Sequence, residues 1–224
     1  QRSGGSVANS LACIAQLGGK ASFIGRVKND KLGEIFTEEI SRTGTIFKTP
    51  PSSVGPSTAR CLIFVTPDAE RTMCTYLGAS VLLEPKDLDL SAVKEAKILY
   101  LEGYLWDNTA AKNAFIKAAE IAKNAGTKVA LSLSDSFCVN RHRKSFISLV
   151  EDYVDILFSN EDEIISLFET SNLSLAIEKL KRTCDLAAIT IGKNGSILIT
   201  NGKEEAIEPF VIGQAIDTTG AGDI

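Results

Sequence analysis

The stretch ILFSNEDEIISLF, residues 156–168, changes character halfway along. Ile156–Ser159 is a short apolar run bounded by polar residues, the pattern of a buried strand. Asn160 follows at the strand's end. Glu163 stands three residues on, inside the first turn of a helix expected over Glu161–Phe168. One strand running directly into one helix is half of a βα unit, and the rest of the chain repeats it.

Working outward, strands are expected at Ile98–Leu101, Lys128–Leu133 and Ala187–Ile191. Helices are expected near Ala110–Ala125, His142–Val150 and Leu175–Arg182. Alternation of this kind implies right-handed crossovers and an α/β fold with a doubly wound, largely parallel sheet flanked by helices. Ligands of such sheets bind beyond the carboxyl ends of the strands. Nearer the start, Val7, Ala8, Leu11, Ala12, Ile14 and Ala15 give an apolar helical face that ends at Gly18-Gly19. Ala21–Val27 reads as a strand, and Leu32, Ile35, Phe36 and Ile40 as a second amphipathic helix.

Residues 47–76 break the rhythm. Pro50, Pro51, Gly55 and Pro56 punctuate the segment, and the strand-like runs Ala59–Thr66 and Arg71–Tyr76 flank a Pro67-Asp68 turn. A hairpin inserted into an α/β chain reads as a lid or a dimerisation sheet. No internal repeat and no low-complexity segment is present.

With 224 residues, the chain is long enough for one large domain, expected to span 1–224 with the β-rich lid at about 47–76. Both ends look cut: Gln1 is followed almost at once by a helix, and another helix begins near Thr219. Apolar residues make up 44% and charged residues 23%, the balance of a globular protein. No run approaches the roughly 20 apolar residues of a membrane helix, and no signal-peptide pattern opens the chain. Net charge is −4, with Lys and Arg scattered singly, which argues against a nucleic-acid partner. The five cysteines, Cys13, Cys61, Cys74, Cys138 and Cys184, form no C-x-x-C pair. They are expected to be reduced, mostly buried residues of a cytoplasmic protein.

Four motifs carry chemistry. In Asp217-Thr218-Thr219-Gly220-Ala221-Gly222-Asp223 the backbone amides of Gly220, Ala221 and Gly222 are bare enough to converge on an anion at a helix start. Asp223 beside them can accept a proton from an attacking hydroxyl. The structural alternative is a Gly-rich turn capping a helix. Asn160 and Glu163 can hold the water shell of Mg²⁺, or form a capping box. Thr190-Ile191-Gly192-Lys193-Asn194-Gly195 lets backbone approach a ligand, and its Asn194-Gly195 is equally a hairpin turn. Gly4-Gly5-Ser6 with Asn9 opens the first helix, where Ser6 can simply initiate it and Asn9 faces the cleft one turn later.

A Rossmann fingerprint is not completed, because its glycines must follow an early strand. A Walker loop is absent as well, since Gly19-Lys20 is followed by Ala21. Cys138 and His142 stand four apart without a further partner, and the single His is expected on a helix surface. Phe137 either stacks on a flat ring or, as is commoner for such an aromatic, packs in the core.

These four motifs, in this order, resemble the ribokinase/PfkB family of carbohydrate kinases over nearly the whole chain, from Gly4 to Asp223. Gly4-Gly5-Ser6, Asn9-Ser10, Leu133-Ser134 and Phe137 are most similar to the adenosine kinase branch. The resemblance implies a ribokinase-like fold and transfer of the γ-phosphoryl of ATP to a primary hydroxyl of a sugar or nucleoside. It further implies Asp223 as catalytic base, with the Gly220, Ala221 and Gly222 amides as anion hole. Asn160 and Glu163 would organise Mg²⁺ and phosphate, and Thr190, Gly192 and Gly195 would line the ATP site. Gly5, Ser6 and Asn9 would meet the sugar, and Phe137 the base. K⁺ is expected near the backbone of Asp217 and Thr219, and the segment 47–76 matches the family's lid strands, through which a homodimer can form.

Val7 and Leu11 stand where the family signature prefers small residues, and Lys28 where it has glycine, which leaves adenosine, ribose, fructose and other sugars open. The family's first strand and C-terminal helices are not among these residues. A catalytically silent nucleotide- or sugar-binding module of the same fold is the alternative. A nicotinamide-dependent oxidoreductase is disfavoured by the missing early Gly-rich turn.

Overall fold

The computed structural model describes residues 2–67, 71–210, 213 and 220–223. The chain divides into two compact units, residues 1–89 with 213–224, and residues 90–212.

In the first unit, α1 (Ser6–Gln16) is followed by β1 (Ser22–Phe23), α2 (Lys31–Arg42), β2 (Ile46–Phe47), β3 (Arg60–Val65) and β4 (Arg71–Tyr76). The cap of α1 is Gly5, at φ +111 with no side-chain cap bond, so Ser6 is the first helical residue rather than its cap. The strand expected over Ala21–Val27 pairs only at Ser22 and Phe23, with β2 in parallel, and a separate bridge joins Lys28 to Ser52. Phe47 packs edge to face against both Phe23 and Phe36, which are themselves tilted on one another, with ring centroids 5.3–5.7 Å apart, and this ties the short sheet to α2. α2 starts at Asp30, whose side chain accepts from the Gly33 N–H at 2.9 Å.

The hairpin reading holds. β3 and β4 pair antiparallel from Arg60↔Tyr76 to Val65↔Arg71. Pro67 is described and Asp68 lies outside the described residues. Every residue of β3 is exposed, including Leu62, Ile63, Phe64 and Val65. The burial expected of the cysteines fails here. Cys61 and Cys74 sit on this two-stranded sheet, where every residue of β3 and nearly every residue of β4 is exposed, and both are exposed themselves, while Cys138 and Cys184 are buried.

The second unit contains α3 (Leu90–Glu95), β5 (Ile98–Glu102), α4 (Thr109–Ala125), β6 (Lys128–Ser132), α5 (Ser136–Tyr153), β7 (Ile156–Asn160), α6 (Glu161–Phe168), α7 (Leu173–Leu180), β8 (Leu186–Thr190), β9 (Ser196–Thr200) and β10 (Lys203–Ile207). Its six strands lie in the order β10-β9-β8-β7-β6-β5. β5 to β8 run parallel, and β9 and β10 extend the sheet antiparallel. Leu131, Leu157, Ile164, Leu167, Ile189 and Ile199 are among its fully buried side chains. α4 presents Ala111, Ala114, Ala118 and Ala122, all buried, at the three- and four-residue spacing of one helix face. Small side chains there let its backbone approach the neighbouring layer closely.

Two expectations need correction. α5 begins at Ser136, six residues before the expected start, because Asp135 caps it by accepting from Phe137 N–H and Cys138 N–H, both at 3.1 Å. Basic residues are not scattered singly. Arg141, Arg143 and Lys144 follow one another on α5, and acceptors draw the two arginines in: Arg141 pairs with Asp107, and Arg143 with Glu169 and the Ser166 carbonyl. Among the described residues no helix is long and apolar enough to cross a membrane.

Candidate active site

In the first unit, chemistry gathers where α1 meets the chain's last described residues. The Asn9 N–H closes the first turn of α1 on the Gly5 carbonyl at 2.9 Å, which sets its side chain one turn into the helix. From there Asn9 Nδ2 donates to Asp223 Oδ2 at 2.7 Å. The Ser10 hydroxyl donates to the Asp223 backbone carbonyl. The Asp223 N–H donates to the Gly220 carbonyl at 2.9 Å, closing a tight turn over residues 220–223. Gly220 takes φ +79, so the turn favours glycine for its backbone conformation. Space does not demand it, since an added Cβ would lie 3.7 Å from Asp223 Oδ2. Ala221 and Gly222 are exposed and Asp223 is half-buried. Asp217 and Thr219, the expected cation-site residues, lie outside the described residues.

In the second unit the expected residues sit at the carboxyl ends of β7 and β8, where Asn160 and Thr190 are partners in register. Asn160 caps α6: its Oδ1 accepts from the Glu163 N–H at 2.9 Å, and Glu163 Oε2 accepts from the Asn160 N–H at 3.0 Å. Asn160 Nδ2 also donates to Glu163 Oε1 at 2.8 Å. The capping box is therefore real, and it aims a carboxylate that is only 5% exposed. Burial pushes that carboxyl's pKa up, the Asn160 N–H partly offsets this, and the negative charges of Asp135 and Asp162 add to the rise. A buried carboxylate that gains donors and acidic neighbours suits a hydrated divalent cation, whose field relieves the charge. The Asn160 amide is engaged by Glu163, so its part is to orient that carboxylate.

A cavity of about 390 Å³ opens beside this box, lined by Asn160, Glu161, Asp162, Thr190, Gly192 and Lys193 among others. Lys193 had no role in the sequence reading, although it lies within the quoted motif. Its cation stands at the cavity with the acidic pair Glu161 and Asp162. Gly195 does not line this cavity. A Cβ there would fall 2.1 Å from the Ile207 carbonyl oxygen, so glycine is required by the close approach of β10.

Phe137, in the first turn of α5, is 74% exposed and is not core. Just before it, Ser134 holds φ +67, an uncommon left-handed conformation for a residue with a side chain. Its hydroxyl accepts from the Gly103 N–H at 3.1 Å and donates to the Ser132 carbonyl at 3.2 Å.

Comparison with known proteins bears on both halves. The pfkB family carbohydrate kinase pattern matches residues 1–224. The adenosine kinase structure from Sinorhizobium meliloti is 47% identical with a TM-score of 0.94, over 98% of this chain and 68% of that one. A probable sugar kinase protein from Rhizobium etli is 43% identical with a TM-score of 0.94, over 98% of this chain and 67% of that one. Probable fructokinase-4 of Arabidopsis thaliana is 26% identical over 228 residues, 98% of this chain and 69% of its own length. The chain spans about two thirds of these relatives. The fold is ribokinase-like α/β, with a mostly parallel central sheet flanked by helices. The chain belongs to the pfkB family of carbohydrate kinases, ATP-dependent phosphotransferases that act on sugars and nucleosides.

Proposed function

We propose that this kinase phosphorylates a primary hydroxyl of a nucleoside, adenosine before free sugars, with Asp223 as catalytic base. The observation that carries the reading is the bond from Asn9 to Asp223, which fixes one carboxylate oxygen and leaves the other for a substrate hydroxyl. That hydroxyl gives its proton to Asp223 as its oxygen bonds to the γ-phosphorus, and the bond to the bridging oxygen breaks to release ADP. The amides of Gly220, Ala221 and Gly222 supply donors for the charge on the transferring group.

On this reading Thr190, Gly192 and Lys193 border the nucleotide, and Glu163, oriented by Asn160, holds the water shell of Mg²⁺. Mg²⁺, when bound, neutralises phosphate charge. Gly5 and Ser6 lie beside the acceptor and Phe137 offers a face for its base. K⁺ at Asp217 and Thr219 rests on the family resemblance. The 47% identity to an adenosine kinase favours the nucleoside over fructose. Residues 47–76 act as a lid, and the exposed apolar hairpin supports its pairing with a second copy.

The test is ADP release with Mg²⁺ across adenosine, ribose and fructose. Turnover on adenosine with little on free sugars is expected, and the reverse order overturns the nucleoside assignment.

A further inference from the structure

β5 ends in a tight 3-10 turn, Gly103–Asp107, that packs against α5. Its anchor is Trp106, 1% exposed, which stacks on Phe146 with centroids 5.1 Å apart and donates Nε1–H to Ser145 Oγ at 3.1 Å. At the other end of the turn, a Cβ on Gly103 would lie 2.3 Å from the Leu133 carbonyl oxygen. Buried packing thus fixes the turn, and Asp107 is delivered to α5 as a consequence.

Facing it on α5 are Cys138 and His142, four residues apart and so on one side of the helix. Helical geometry breaks at His142, with φ −120 and ψ 21. The imidazole Nε2 lies 2.7 Å from Asp107 Oδ1. The Cys138 sulfur, a His142 ring nitrogen and an Asp107 carboxylate oxygen all lie within 4.8 Å of one another. The Cys138–His142 spacing was legible in the sequence. The third donor comes from a turn after another strand and was not.

We infer that Asp107, Cys138 and His142 form a binding site for a borderline divalent transition metal of the zinc and cobalt class. One sulfur, one imidazole and one carboxylate are a three-donor set for a tetrahedral ion with an open fourth position. The sulfur and nitrogen disfavour Mg²⁺ and Ca²⁺, which take oxygen ligands. Bonds of about 2.0–2.3 Å place tetrahedral donors about 3.3–3.8 Å apart, so the present spread needs only side-chain adjustment. Two things must give way. Arg141 donates to Asp107 from Nε at 3.1 Å and Nη2 at 2.7 Å, and the ion replaces this guanidinium. Cys138 donates its proton to the Gly103 carbonyl at 3.5 Å; on binding, the S–H bond breaks, an S–metal bond forms, and one proton leaves to solvent. Burial, with the Asp107 charge adding to it, holds that thiol up at about 11, so the metal supplies the driving force for its ionisation. An ion so held ties the first turn of α5, which carries Phe137, to the end of β5. None of these three residues has a part in the phosphoryl transfer above.

The test is titration of the reduced full chain with Co²⁺ alone, read by absorption. One equivalent per chain is expected, with d–d bands of a tetrahedral ion and a near-ultraviolet thiolate-to-cobalt band that Zn²⁺ abolishes by displacement. Cys138→Ser removes that band and Cys184→Ser, at the other buried thiol, leaves it. His142→Ala weakens binding by at least about tenfold. Arg141→Ala, which frees Asp107, tightens it. Absence of the thiolate band in the unsubstituted chain, or its persistence in Cys138→Ser, overturns the inference.

Discussion

Asn9 Nδ2 donates to Asp223 Oδ2 at 2.7 Å, so a helix at one end of the chain orients a carboxylate at the other. With Asp223 as the proposed base, Asn9 is a positioning residue for it as well as a candidate for substrate contact. Asp223→Asn is expected to lower kcat by roughly 10²–10⁴-fold with ATP affinity nearly unchanged. Asn9→Ala, which frees the carboxylate to rotate, costs as much as ~10² in kcat. Unchanged turnover in Asp223→Asn would sink the assignment of the base.

Glu163 carries a second expectation, in two readouts. Its folded pKa is raised, so its contribution to stability is fully present below the unfolded value near 4.5 and is lost as pH rises through the folded one. Above that window the ionised, buried carboxylate is a liability that glutamine does not share. Stability of the unsubstituted protein relative to Glu163→Gln should therefore decline as pH rises above 4.5. In the assay, Glu163→Gln is expected to raise the Mg²⁺ concentration for half-maximal rate by about tenfold or more. A parallel pH dependence of stability and an unchanged Mg²⁺ titration would together reject the role.

How much of this was legible in the sequence depended on burial. β6, β7 and β8 are short apolar runs with polar ends, and their period and position were readable. β10 was not, because Lys203, Glu204 and Glu205 lie on a wholly exposed edge strand with no apolar face to betray it. The start of α5 was missed because Asn140, Arg141, Arg143 and Lys144 interrupt its apolar spacing. Gly195 illustrates a different limit. Glycine within a ligand motif invited a binding role, whereas its geometry answers to the Ile207 carbonyl. The Asn9–Asp223 contact spans the chain: motif chemistry marked each residue separately, but no local period pointed to the bond between them.

The lid reading predicts an oligomeric state. On the hairpin, Leu62 pairs with Cys74 and Phe64 with Thr72, which puts both exposed apolar side chains on one face. Burying a Leu or a Phe contributes roughly 1.5–3 kcal/mol each. Leu62→Asp with Phe64→Asp should then weaken self-association by about 3–6 kcal/mol, or two to four decades in Kd, without unfolding the protein. Sedimentation equilibrium decides this, and a monomeric unsubstituted chain at micromolar concentration rejects pairing through this face.

The final expectation concerns how the hairpin is attached. Asp30 Oδ1 accepts from the Gly33 N–H at 2.9 Å and the Thr58 hydroxyl at 2.7 Å, and Oδ2 accepts from the Thr58 N–H at 3.0 Å. One carboxylate thus caps α2 and holds the residue that leads into β3. Partial burial pushes its pKa up, but the Thr58 and Gly33 donors and the Lys28 charge outweigh this and hold it below 3.8. With a depressed folded value, the contribution of Asp30 is present above the unfolded pKa and is lost as pH falls through the folded one. Asp30→Ala removes a cap worth about 1 kcal/mol and strands the Thr58 N–H, for a total loss of about 2–4 kcal/mol at neutral pH. In acid the gap to the unsubstituted protein should narrow, because there the carboxylate is itself protonated. Urea melts at neutral pH and at about pH 2 measure both, and a gap that stays constant between them would show that the charge on Asp30 is not what holds Thr58.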